Sequence, residues 1–381
     1  MSNVSVAKSS PFKQIMKKVF RIIGIVLAVL AILAVCAYFL FLRYPNLKAD
    51  PAVGKWYRVA DSAMKDSEGN SYHALFKKGS KNKVMIYFAG GGVSINEDTA
   101  KEGENFYFHT ITSDFAQTMG ISASSKDNPL NDWTFINVPY CTGDWHIGTN
   151  DFAYTDKDGN SQILHHHGYT NFKLMMEMIL PYIGNPEAVL VTGWSGGGFG
   201  ASFLAEEIFK DYFPQVQNKT VLVDAAFLLK DDWKNIANSV WGTPEHIANR
   251  FTGDNLVLDS LHSLSENVTN SKILFLCSIR DEALTKYQNY LNTSAFEANK
   301  AAGKEFEKNL KNMVDDLLAL PNASAFIWSD KDNDTDLTAH TVTMIQFVDA
   351  KYGGIKVSDW LMDAINGKLT NYGLDLVNKQ H

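Results

Sequence analysis

Residues 188–209 read Ala-Val-Leu-Val-Thr-Gly-Trp-Ser-Gly-Gly-Gly-Phe-Gly-Ala-Ser-Phe-Leu-Ala-Glu-Glu-Ile-Phe. The apolar, β-branched run 188–192 predicts a buried strand, and the pattern over 198–209 predicts a helix. Between them lies Gly193-x-Ser195-x-Gly197. A serine on so sharp a strand-to-helix turn needs small residues two positions either side, because strand and helix pack close there. Its hydroxyl then stands over the sheet at a helix N-terminus, where free N–H groups and positive partial charge gather. A phosphate-binding loop fits less well. The spacing G-x-G-x-x-G from Gly196 and Gly198 would require glycine where Ala201 stands, and no Gly-Lys-Ser/Thr is present.

The same grammar continues on both sides. Short apolar runs at 84–88, 133–138, 220–223, 273–277 and 325–328 predict further strands, with helices expected over 172–183, over 294–320 with a break at Gly303, and after His340. Strands alternating with helices predict an α/β fold, a mostly parallel sheet flanked by helices. Residues 81–381 form the expected catalytic domain, with insertions near 228–270 and 284–320 that could form a cap. Such sheets carry their chemistry at the carboxyl ends of the strands.

Ala89-Gly90-Gly91-Gly92 follows the 84–88 strand directly. Acyl transfer by a serine creates a negative oxygen that preorganised N–H groups must hold. Gly91 and Gly92, with the amide of Gly196 after the serine, are the expected oxyanion donors. The serine also needs a base oriented by a carboxylate, in the chain order Ser, Asp/Glu, His. His340, just past the last strand, is the expected base. His246 and His262 fall in the insertions, and His381 is at the chain end. Asp281 follows the 273–277 strand and is the preferred acid, with Asp224 as its rival. No metal site and no cofactor motif is expected: adjacent imidazoles in His165-His166-His167 diverge, and no H-E-x-x-H spacing occurs.

The N-terminus reads differently. Residues 22–42 are 21 consecutive residues without a charge, enough to cross about 30 Å of hydrocarbon as a helix. The basic segment 1–21 precedes them and a linker over 43–80 follows. The excess of Lys and Arg before the span predicts a signal-anchor with the body outside the cytoplasm. Secretion after cleavage near Val35-Cys36-Ala37 is the alternative. Five Asn-x-Ser/Thr sequons, at Asn218, Asn267, Asn292, Asn322 and Asn333, lie in the body. Residues 1–50 carry a net charge of +6 and residues 51–381 a net −13. So acidic a body disfavours nucleic acid, whose binding rests on cations. Three cysteines exclude a disulfide scaffold.

Several segments together resemble the pectin acetylesterase and Notum carboxylesterase family, over roughly 80–345. Ala89-Gly90-Gly91-Gly92-Val93-Ser94 is similar to that family's Glu-Gly-Gly-Gly-Trp-Cys loop, and Asn137-Val138-Pro139-Tyr140-Cys141-Thr142-Gly143-Asp144 to its Tyr-Cys-Asp-Gly segment. The elbow is similar to Gly-x-Ser-Ala-Gly-Gly. Asp224-Ala225-Ala226-Phe227 resembles its Asp-Ser/Ala-Gly-Phe stretch. The resemblance implies an α/β-hydrolase fold and a serine carboxylic-ester hydrolase. It carries the nucleophile to Ser195, the acid to Asp281, the base to His340 and the oxyanion donors to Gly91, Gly92 and Gly196. Val93, Trp194 and Tyr140 are then expected in the substrate pocket. Val93 stands where the family has Trp, which changes the pocket beside the oxyanion hole. The implied substrate is an O-acetylated glycan outside the cell. A lipid or short-chain acyl ester, or a non-catalytic binding role on the same fold, are the alternatives.

Overall fold

The computed structural model describes residues 11–37, 43–111, 113–330 and 336–378. It divides into two units, Met1–Tyr44 and Pro45–His381. In the first, helix α1 runs Pro11–Ala37, and its apolar side chains from Ile22 to Leu33 are exposed. Among the described residues no helix is long and apolar enough to cross a membrane. Residues 38–42 of the expected span lie outside them, as does Asn333.

The second unit is built on an eight-stranded sheet. Its strands are β1 (Trp56–Val59), β2 (Ala74–Lys77), β3 (Lys83–Phe88), β4 (Thr134–Val138), β7 (Ala188–Trp194), β8 (Asn218–Asp224), β9 (Ser271–Ser278) and β10 (Ala323–Trp328). A separate hairpin pairs β5 (Asn150–Thr155) with β6 (Ser161–His166). The sheet order is β1-β2-β4-β3-β7-β8-β9-β10. From β4 to β10 every pairing is parallel, whereas β1 and β2 extend one edge antiparallel. The parallel strands are continuous apolar runs because both faces are covered. Met85, Ile86, Leu190, Val191, Leu222 and Phe275, for example, are wholly buried. Each such side chain contributes about 1.5–3 kcal/mol by leaving water.

Helix α2 (Glu97–Glu102) follows the glycine loop, and α3 (Gly168–Ile179) lies against β1. The central helix α4 (Gly196–Glu207) packs on β3, β7 and β8. Two single turns, α5 (Trp233–Ile236) and α6 (Glu245–Ala248), precede α7 (Leu256–Asn267). Next come α8 (Glu282–Thr293), α9 (Lys300–Leu317), α10 (Val357–Ile365) and α11 (Leu374–Val377). The stretches expected as insertions each contain a helix that covers the sheet. α7 packs on α4 and β9, and α9 packs on α7 and β10. Gly303 does not break α9. It sits inside the helix, where a Cβ would meet Leu337 at 2.8 Å. The helical stretch begins at Lys300 rather than at residue 294, because Ser294 caps α8 in a left-handed conformation and Asn299 then caps α9. After His340 come turns, and a helix forms only at α10.

Much of the aromatic content is core. Trp145 stacks on Phe199 at 3.8 Å and 3°, with Trp233 and Trp241 at 5.0 and 5.2 Å. This cluster braces the first turn of α4, directly behind the elbow. Cys141 and Cys277 are free thiols buried in the core.

Candidate active site

Ser195 sits between β7 and α4 with φ 52° and ψ −125°. A non-glycine residue there stores on the order of 1–3 kcal/mol of strain. Its own backbone holds it. The amide donates to Asp224 O at 2.9 Å, and its carbonyl accepts from Gly198 N at 2.8 Å and Phe199 N at 3.1 Å. The flanking glycines are steric necessities: a Cβ on Gly193 would overlap the Gly197 carbonyl, and one on Gly197 would overlap the Phe88 carbonyl.

The glycine loop leaves β3 beside this turn. Gly91 has φ 157° and Gly92 φ 81°. Phe108 N and Val93 N donate to Gly91 O and Phe106 O at 2.8 and 2.9 Å, pairing the loop with the chain over 106–108. Among the described residues the amides of Gly91 and Gly92 donate to no backbone carbonyl. The base of the loop is fixed by His146 Nε2, 2.8 Å from Ala89 O. Burial pushes the His146 imidazolium pKa down to about 4. The ring is therefore neutral, and since a carbonyl only accepts, Nε2 carries the proton.

His340 Nδ1 lies 2.7 and 2.8 Å from the two carboxylate oxygens of Asp281. Asp281 is wholly buried and also caps α8, accepting from Leu284 N at 2.9 Å. Burial works against charging His340. The Asp281 charge and hydrogen bond, with Asp224 beyond, outweigh it and hold the imidazole above its ordinary pKa. Since Nδ1 faces Asp281, Nε2 is the nitrogen turned away. Ser195 and His340 line one cleft of about 210 Å³, walled by Gly91, Gly92, Phe106, Phe108, Trp194 and Tyr287. A larger groove of about 670 Å³ adjoins it and shares Asn105 and Phe106.

Asp224, the rival acid, does not hydrogen-bond His340. Its Oδ2 accepts from Val342 N, Thr343 N and Thr343 Oγ1 at 2.9, 2.6 and 2.7 Å. Its backbone holds Ser195 while its side chain holds the loop after His340, so one residue joins both. Burial pushes its carboxyl up to about 6, with the Thr343 and Val342 hydrogen bonds acting the other way.

Two expected pocket residues lie elsewhere. Val93 is 3% exposed and packed in the core, because the loop pairs with residues 106–108 and turns the side chain inward. Tyr140 is buried, its hydroxyl accepting from Trp145 N at 3.0 Å. Trp194 does line the cleft. Tyr287, Phe106 and Phe108 form the wall instead, and no motif in the sequence marks them. Tyr287 carried a usable signal, lying six residues past Asp281 on the helix that Asp281 caps. Asp144 closes the 137–144 segment. It is a wholly buried knot that accepts from Thr142 Oγ1, His146 N, Gly148 N and Gly168 N.

The histidine run divides by strand geometry. His166 is buried with Nδ1 2.7 Å from Thr142 O. His165 and His167 converge instead on Asp151. Divergence holds for neighbours along β6, but the chain turns at His167, the residue before α3, and brings its ring back beside that of His165.

The model of the pectinacetylesterase family matches residues 65–251, which span the glycine loop and the elbow. The match, over just under half of the chain, supports a member of the pectinacetylesterase family and indicates a carboxylic ester hydrolase. Asp281 and His340 lie beyond the matched residues. Among solved structures, the Wnt deacylase Notum from Drosophila is similar, with a TM-score of 0.60 and 13% identity over 81% of this chain and 92% of that one. That likeness shows the shared α/β-hydrolase fold. No curated protein sequence matches the chain.

Proposed function

We propose that this pectinacetylesterase-family member is a serine esterase in which Ser195, His340 and Asp281 act together. The observation that carries the reading is His340, locked through Nδ1 onto a buried carboxylate in the same cleft as a serine on a strained elbow. Ser195 Oγ attacks the ester carbonyl and passes its proton to His340 Nε2. The carbonyl oxygen becomes the oxyanion, held by the amides of Gly91, Gly92 and Gly196. Collapse breaks the ester C–O bond, and the departing alkoxide takes the proton from His340. Water, deprotonated by the same imidazole, then releases the acid and restores the serine.

The favoured substrate is an O-acetylated glycan. A cleft of about 210 Å³ walled by aromatic rings suits a short acyl group, and the larger adjoining groove suits a bulky alcohol. Trp194, at the cleft wall, contacts the substrate in this reading. The net −13 of residues 51–381 favours a glycan of low negative charge over a de-esterified polyanion. A longer acyl ester is the second reading, motivated by the deacylase fold. Location follows from the apolar run 22–42 and the basic residues before it: an anchored chain with its catalytic unit outside the cytoplasm.

The test is the full chain in detergent against p-nitrophenyl esters from acetate to octanoate, beside Ser195→Ala. Highest kcat/KM on acetate, abolished in the variant, is the expected result. A preference for octanoate would move the assignment to lipid esters. Equal inertness of wild type and variant would point to a binding role.

A further inference from the structure

The β5–β6 hairpin lies outside the main sheet, and its register sets Asp151 directly opposite His165. His167 lies just past the end of β6, where the chain turns into α3 at φ −110° and ψ 21°, and this turn brings its imidazole back beside that of His165. His165 Nδ1 and His167 Nε2 approach one atom, Asp151 Oδ1, at 2.6 and 2.9 Å. The three donor atoms all lie within 4.8 Å of one another. We propose that Asp151, His165 and His167 hold a divalent transition-metal ion, with zinc the best match.

The donor set decides the class of ion. Two imidazole nitrogens and one carboxylate oxygen suit zinc and its first-row neighbours, whereas calcium and magnesium favour all-oxygen shells. Three protein ligands leave a position open to water. Without an ion, each imidazole donates an N–H to the shared oxygen. Binding releases those two hydrogen bonds: each ring presents the lone pair of the same nitrogen to the ion, and its proton sits on the other nitrogen. No covalent bond breaks in the chain.

The ligands are also held in place. The His165 amide donates to Ser67 O at 2.9 Å, and the His167 amide to His165 O at 3.0 Å. Gly69, at φ 81°, leaves room for the His165 ring, since a Cβ there would lie 2.9 Å from Nε2. The His165 and His167 side chains are 24% and 21% exposed and Asp151 is 55% exposed, so an ion can enter. The hairpin is tied in turn to its surroundings through Thr149 Oγ1 to Gly242 O at 2.6 Å and Asn150 Nδ2 to Val240 O at 3.1 Å. An ion bridging its two strands would stiffen that attachment. None of its ligands lines the cleft of Ser195, so the site stands independently of the esterase assignment.

The experiment uses the full chain in detergent, purified without a histidine tag and stripped by chelator. Zinc chloride is titrated against a competing chromophoric chelator, and thermal unfolding is followed with and without zinc. One saturable equivalent is expected, with affinity lowered at least tenfold in His165→Ala and in His167→Ala. Asp151→Asn preserves a hydrogen-bonding shape at an exposed position, and it should bind at least tenfold more weakly even if the histidine variants prove unstable. Ser195→Ala should bind like wild type, and zinc should raise the melting temperature of wild type but not of Asp151→Asn. Absence of saturable binding, or unchanged affinity in Asp151→Asn and the histidine variants, would overturn the site.

Discussion

Replacing Asp281 by Asn separates catalysis from folding at a single atom. The Asp281 carboxylate accepts both from His340 Nδ1 and from the Leu284 amide. Asparagine has the same shape and caps a helix about as well as aspartate. If its oxygen keeps the Leu284 amide, its NH2 faces His340 Nδ1. The imidazole must then put its lone pair on Nδ1 and its proton on Nε2, and it can no longer accept the Ser195 proton. The expected loss is on the order of 10³–10⁴ in kcat, or about 4–5.5 kcal/mol of transition-state stabilisation. Stability should barely move. Asp281→Ala should lose similar activity but also the cap, about 1 kcal/mol, lowering the melting temperature by roughly 2 °C. The pH profile adds an independent reading. His340 must be neutral to act, so kcat/KM rises with pH through its pKa, which Asp281 holds above the ordinary value. In Asp281→Asn the acid limb of the residual activity should move to lower pH. The assay is p-nitrophenyl acetate hydrolysis from pH 5 to 9 with parallel thermal melts. Retention of more than a tenth of wild-type kcat/KM, with the acid limb unmoved, would refute the role assigned to Asp281.

Asp224 should mark stability rather than chemistry. Its folded carboxyl titrates at about 6 against 3.8 when unperturbed, so the folded chain holds a proton the unfolded chain releases between about pH 4 and 6. Its contribution falls as pH rises through that window, by on the order of 2–3 kcal/mol, and is flat above it. Asn cannot ionise, so the melting temperature of Asp224→Asn relative to wild type should climb from pH 4 to 6.5. Gly92→Ala places a methyl group against the Phe106 carbonyl and the Tyr287 hydroxyl at φ 81°; kcat should fall at least ~10²-fold, as when an oxyanion donor is lost. Tyr287→Ala opens the cleft wall, and the octanoate-to-acetate ratio of kcat/KM should rise about tenfold, the ~1.4 kcal/mol typical of added apolar contact.

The elbow was legible because its geometry admits few residues. Gly193, Ser195 and Gly197 sit where strand, turn and helix touch, so the spacing in sequence is the spacing of the contact. The parallel strands were legible as unbroken apolar runs. β1 and β2 were not, since four-residue segments such as Trp-Tyr-Arg-Val and Ala-Leu-Phe-Lys leave little room for a period to show. Lys77 is buried there with its ammonium 4.0 Å from the centre of the Phe135 ring, a burial its charge conceals. The hairpin leaves no apolar run in the sequence because its exposed face carries Asp151, His165 and other polar residues. Long-range contacts were the least visible. Nothing local ties Asp224 to Thr343, 119 positions away, or Tyr287 to the Phe106 carbonyl, 181 positions away. Val93 misled for the opposite reason: its place in a motif suggested the pocket, while the pairing of the loop with residues 106–108 turned it into the core.

The account turns on Ser195 as the nucleophile. The direct measurement is intact-protein and peptide mass spectrometry after treatment with a fluorophosphonate. One phosphonyl adduct per chain, mapped to Ser195 and absent in both Ser195→Ala and His340→Ala, is the predicted result. A folded wild-type chain that takes up no label, or takes it equally in the Ser195→Ala variant, would contradict the account.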